Sequence, residues 1–135
     1  MKLVLESLLK KYIQLFSQNV KFNLTLDNKN ISAESLQKAI QQTRANDVVE
    51  RIGWDREMRE GGGDVSIGEG QLLTFARMMA HQPPIVILDE ATASIDSITE
   101  SKIQEAIDEI FSSKTVIVVA HRMSTIQKAD RIVCL

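Results

Sequence analysis

Two short apolar runs constrain the fold of this chain more than anything else in it. Ile85-Val86-Ile87-Leu88 and Val116-Ile117-Val118-Val119 are continuous, not alternating. An alternating run marks a strand with one wet face, whereas a continuous one marks a strand covered on both faces, as in a parallel sheet. Between them Ile103, Ala106, Ile107, Ile110 and Phe111 fall at i, i+3, i+4, i+7 and i+8, the stripe of an amphipathic helix. Ser97 with Glu100 reads as the capping box that starts it. A strand, a helix and a second parallel strand make an α/β crossover. A short helix around 123–128 and a last strand at 131–135 extend the pattern.

Upstream, Ser66 and Glu69 form another capping box, ahead of a helix over roughly 68–81 that turns Leu72, Leu73, Phe75, Ala76 and Met79 inward. Pro83 and Pro84 end it and lead into the first strand. Ser32 caps a helix through AESLQKAIQQTR that buries Leu36 and Ile40, and a short helix covers 46–52. Residues 3–16 place Leu5, Leu8, Leu9, Tyr12, Ile13 and Phe16 at helical spacing. SQNVKFNLTLDNKN, which alternates weakly and ends in turn formers, reads as loop or short strand. REGGGD, 59–64, is a hinge-like loop.

Composition excludes several classes. The balance of 44% hydrophobic and 25% charged residues is that of a globular chain. A net charge of −2 over 135 residues gives no basic face for nucleic acid. The lone Cys134 cannot form an internal disulfide, and no apolar run approaches the roughly 20 residues of a membrane span. The expectation is a cytoplasmic chain that meets a membrane only through a partner.

In open α/β sheets ligands sit at the carboxyl ends of the strands. One strand here delivers Asp89-Glu90 to that edge, and the other ends at His121-Arg122. A short carboxylate beside a metal, a longer one to polarise water and a nearby imidazole suit phosphoryl transfer to water. The bland alternative is a solvated turn and a hydrogen-bonded spacer. Order and spacing argue for the chemistry.

VSIGEGQ (65–71) resembles the signature motif, IVILDE (85–90) the Walker B strand, ASID (93–96) the D-loop, and AHR (120–122) with MSTIQKADRI behind it the H-loop of the nucleotide-binding domain of ATP-binding-cassette (ABC) transporters, most like the exporter branch. LFSQNVKFNLTL resembles the segment after the Q-loop. The resemblance implies a partial P-loop NTPase fold: a parallel sheet core with a helical subdomain, 1–64 holding the Q-loop region and helical subdomain, and 65–135 the signature, Walker B, D-loop and H-loop part of the core. It implies that Asp89 holds Mg2+ through water, that Glu90 is the general base, and that His121 contacts the γ-phosphate. Ser66, Gly68 and Gln71 would meet ATP bound by a second nucleotide-binding domain across a dimer, and Asp96 would couple the two sites. A close backbone approach to that phosphate suits Gly68. The loop at 15–22 would touch a transmembrane domain or subunit. Gln14 and Gln18 both stand as Q-loop candidates.

The family's phosphate loop, with its lysine, does not occur in these 135 residues: no glycine precedes a lysine, and the glycine run 61–63 is followed by Asp64, which would repel phosphate. ATP and Mg2+ are therefore expected only where that loop is supplied elsewhere. The alternative is a non-catalytic, truncated or partner-binding module. A chromosome-maintenance or DNA-repair head of the same superfamily is disfavoured, because its long coiled-coil heptads are missing. By resemblance the phosphate-loop strand would lie between 115–119 and 131–135. Without it those strands either pair directly or leave a gap and bare apolar edges.

Overall fold

The computed structural model describes residues 15–59, 63–89, 95–120 and 123–133. The helix expected over 3–16 lies almost wholly outside them. In chain order the elements are α1 (Val20–Thr25), α2 (Ala33–Gln42), α3 (Asn46–Ile52), α4 (Ile67–Ala80), β1 (Ile85–Asp89), α5 (Ser97–Ser113), β2 (Thr115–Val119) and α6 (Met123–Ile126). β1 and β2 pair in parallel, Ile85 beside Thr115 through Asp89 beside Val119. The expected α/β crossover with a parallel sheet is what forms.

α4 is the axis of the molecule. Its sequence is apolar nearly all round, so it is buried nearly all round: Leu72, Leu73, Phe75, Ala76, Met79 and Ala80 are in the core. α1 and α2 pack on it, and α5 packs on it in turn and lies against β2. Ile103, Ala106 and Ile110 are the buried face of α5, one of the expected stripes. Three polar ties, Gln42–Glu109, Arg44–Glu105 and Lys102–Asp47, join that helix to α2, α3 and the turn between them. Being largely exposed and screened by solvent, such ties set register more than stability.

Four expectations need correction. The strands are not covered on both faces. Val86, Leu88, Val116 and Val118 share the face toward the helices, while Ile85 and Ile117 on the other face are each 55% exposed and Val119 is 53% exposed. A run of apolar residues records what a strand is built to bury, and here only one layer of helices is at hand to bury it. Residues 131–133 are not a strand, and Ile132 and Val133 face solvent. The direct pairing of 115–119 with 131–135 therefore does not form among the described residues. The segment read as loop or strand contains α1. Asn19 caps it by accepting from Phe22 N at 2.8 Å, and Leu26 closes it in the left-handed region at φ 51°. Finally, α5 is capped by Asp96 and not Ser97: the Asp96 carboxylate accepts from Thr99 N at 2.9 Å.

Candidate functional site

The amino end of α4 is held from three sides. Ser66 Oγ accepts from Glu69 N at 3.2 Å, and the Glu69 carboxylate accepts from Ser66 N at 2.8 Å, completing the capping box read from the sequence. Arg51 at the end of α3 reaches the other Glu69 oxygen at 2.7 Å. Burial pulls the Glu69 carboxyl up, but the Ser66 N–H and the Arg51 guanidinium outweigh it and hold it below the usual carboxylate range. Behind this end lies Asp64, whose carboxylate accepts from Arg59 N at 2.7 Å and lies near the side chains of Arg56 and Arg59. An acid at that place offsets the charge of two arginines.

Gly68 sits in the first turn of α4, against the start of α5. A Cβ there would stand 2.4 Å from Thr99 Cγ2 and 2.9 Å from Ile95 Cγ2. The close approach that excludes a side chain at Gly68 is thus already made inside the chain. Asp96 is next to that contact. Its carboxyl is held below its ordinary value, first by the Thr99 N–H and then by the Thr99 side chain.

A cleft of about 60 Å³ runs from this junction to the sheet edge, with Gln71, Asp89, Ile95, Glu100, Val118 and Thr125 along its wall. Of the expected site residues, Gln71 and Asp89 line this cleft, and Ile95 on its wall also meets buried Gly68. Glu90, His121 and Gln14 lie outside the described residues. Gln18 is exposed, its carbonyl accepting from Asn23 Nδ2 at 3.1 Å and Met58 N at 3.1 Å, and it does not line the cleft. Among the described residues no group of three or more His, Cys, Asp or Glu is placed to hold a metal. Asp89 offers a single carboxylate, so a divalent ion held there would take most of its shell from water or from a bound substrate.

Sequence reasoning passed over Arg77 and Asn23. Arg77, on a helix otherwise apolar at its neighbours, is only 9% exposed, and Asn23 is fully buried. Thr99 was also missed. A polar residue inside an apolar run, as Arg77 is within FARMMA, was the available signal.

Residues 4–93 match the family model described as "ABC transporter". The chain belongs to the ABC transporter family. A "probable multidrug resistance ABC transporter ATP-binding/permease protein" of Bacillus subtilis (strain 168) is 42% identical over 123 residues, covering 90% of this chain and 18% of that protein. An uncharacterized ABC transporter ATP-binding protein of the same strain is 42% identical over 123 residues, covering 90% of this chain and 20% of the relative. A solved bacterial Atm1-family ABC exporter with ATP bound matches with a TM-score of 0.69 at 33% identity, over 86% of this chain and 21% of that one. The ABC-transporter chain thus spans about a fifth of the length of these relatives. No helix among its described residues is long and apolar enough to cross a membrane.

His81, one turn beyond Arg77 in the α4 cap, titrates in the same structure. Burial and then the Arg77 charge pull it below its ordinary value, while the main chain of Leu24 and Thr25 pulls the other way, and its Nε2 is buried without a hydrogen-bond partner. A folded-state pKa below the unfolded one of about 6.5 means that this stability is complete above pH 6.5 and is lost as pH falls. Glu69 acts in the same direction at lower pH. The thermal midpoint is expected to be flat above neutrality and to fall in two stages on acidification. His81→Asn removes the first stage and leaves the second. A midpoint that rises between pH 7 and 5 in the wild-type chain contradicts both assignments.

Proposed function

We propose that this chain is the later part of an exporter's ATP-binding domain, contributing the signature helix, Walker B carboxylates, D-loop and H-loop histidine to an ATPase that drives transmembrane export. The observation that carries the reading is the joining of α4 to α5 at Gly68. It brings the first turn of α4 against Ile95 and Thr99, on either side of Asp96, and Ile95 lines the same cleft as Gln71 and Asp89, which supports the reading. In this reading residues 1–64 hold the Q-loop region and helical subdomain, with Gln14 or Gln18 as its glutamine. Residues 65–135 belong to the ATPase core.

ATP bound to a phosphate loop supplies the scissile phosphoryl group, and Mg2+ offsets its charge. The chain's own groups then have separate tasks. Ser66 Oγ, Gly68 N–H and the helix end behind them meet the γ-phosphate of the opposite domain's nucleotide, where the helix terminus favours negative charge. Gln71, one turn on, borders the same surface. Asp89 orients water around the ion. Glu90 draws a proton from the attacking water, and His121 fixes that water against the phosphate. The domain works at the cytoplasmic side of the membrane, against a transmembrane partner and a second ATP-binding domain.

The chain by itself offers no lysine-bearing cradle for a triphosphate. Calorimetry with Mg-ATP is expected to show no saturable binding to the 135-residue chain. In a chimera where this chain replaces the aligned 123 residues of the Bacillus subtilis relative, ATP hydrolysis is expected to persist and Glu90→Gln to abolish it. A chimera that binds ATP yet never hydrolyses it would favour the non-catalytic, partner-binding reading, and turnover unaffected by Glu90→Gln would remove Glu90 as the base.

A further inference from the structure

Arg77 projects from the last turn of α4 into a knot of main-chain atoms. Its Nε donates to Asn23 O, Nη2 donates to Asn23 Oδ1 at 3.3 Å, and its guanidinium carbon lies 5.4 Å from the centre of the Phe16 ring. Asn23 in turn ties up the loop that leads into α1. Its amide donates to Phe16 O at 3.0 Å, Gln18 O at 3.1 Å and Asn19 O at 3.1 Å, and its Oδ1 accepts from Phe16 N at 2.8 Å. The Phe16 ring also meets Phe22 edge to face, with centroids 6.0 Å apart. The far side of this loop is open: Phe16 is 37% exposed, and Ser17 and Gln18 are exposed.

A buried guanidinium is costly unless its donors are met, and a fork of planar donors holds its acceptors in one orientation. Burial lowers the Arg77 pKa to about 10, which leaves it charged at neutral pH. The knot therefore cannot relax by losing the proton. From Arg77 the α4 backbone runs unbroken to its Ser66 cap, eleven residues or about 16 Å away. Coupling between distant sites is carried by hydrogen-bond networks and rigid elements of this kind.

We propose that Arg77 is a positioning residue that locks the Phe16–Thr25 segment and the signature helix into one rigid unit, so that displacement of the exposed Phe16–Gln18 loop by a transmembrane partner reaches the Ser66–Gly68 end. The inference rests on the reading of that loop as partner-facing and of that end as nucleotide-facing. Its mechanical core is independent of nucleotide and partner.

Amide hydrogen exchange on the 135-residue chain tests it, with wild type, Phe16→Ala, Arg77→Met and the double variant. Phe16→Ala is expected to speed exchange in α1 and also at Glu69 and Gly70, the amides held by the Ser66 cap, by about fivefold or more. Ile110 in α5 should be unchanged. In the Arg77→Met background the cap amides are already fast, and Phe16→Ala adds little to them. Arg77→Lys keeps the charge but loses the fork, and should leave the two ends uncoupled, as in Arg77→Met, while the Ile110 amide stays protected in both. Acceleration confined to α1 overturns the proposal, as does a uniform acceleration that includes Ile110 or full coupling in Arg77→Lys. Failure of the ATPase chimera with the exchange pattern intact would refute the functional reading and leave the mechanical lock standing.

Discussion

Truncating Leu73 to alanine is expected to lower stability by about 2–5 kcal/mol, the range for deleting a fully buried leucine side chain. Leu73 is 0% exposed on the helix that α1, α2 and α5 all pack against. No neighbour can collapse into the vacated space without pulling one of those helices off another. The same truncation at Ile117 is expected to cost less than about 1 kcal/mol, because its side chain is 55% exposed and little burial is lost. Urea midpoints at constant m-value read both. The contrast decides more than either number: if Ile117→Ala costs as much as Leu73→Ala, the open face of the sheet is covered in solution. Total stability of a domain is about 5–15 kcal/mol, so the Leu73 variant is expected to lose a large part of it.

The apolar stripes of α2, α4 and α5 were legible because each is local. Helical periodicity places Leu36 with Ile40, or Ile103 with Ala106 and Ile110, before any partner is known. The Ser66–Glu69 box was legible for the same reason, since its two halves are three residues apart. α1 was not. It is six residues long, too short to show a helical period, and held by Arg77 from 54 positions further along the chain. Its stability comes from a contact that no local window contains. The cap of α5 was misplaced by one residue because Asp96 and Ser97 are both good caps, and only backbone geometry chooses between them. The open face of the sheet was misread for a related reason: continuous apolar strands state a need for cover without saying which chain segment meets it. At the candidate site the motif residues could be read singly. Their meeting could not, because Gly68 packs on Ile95 and on Thr99, a threonine outside both motifs, and no local pattern announces either contact.

That contact sets the second large effect. Gly68→Ala would ordinarily strengthen a helix by about 0.5–1 kcal/mol, through the reduced freedom of the unfolded chain. Here the new Cβ would lie 2.4 Å from Thr99 Cγ2 and 2.9 Å from Ile95 Cγ2. Overpacking of that kind costs about 1–3 kcal/mol, so the net change is expected to be destabilising. Thr99 cannot turn its methyl aside freely, because its N–H and its side chain both serve the Asp96 carboxylate. The strain must therefore move Asp96 as well. NMR titration of Gly68→Ala is expected to show the Asp96 carboxyl rising back toward the ordinary aspartate range. Thr99→Ser, which deletes the nearest methyl and keeps the hydroxyl, is expected to recover much of the loss in the double variant while restoring Asp96. A stabilised Gly68→Ala chain with Asp96 unmoved would mean that α4 and α5 yield at this junction. The Ser66 end of α4 and the Asp96 cap of α5 would then be neighbours without being joined.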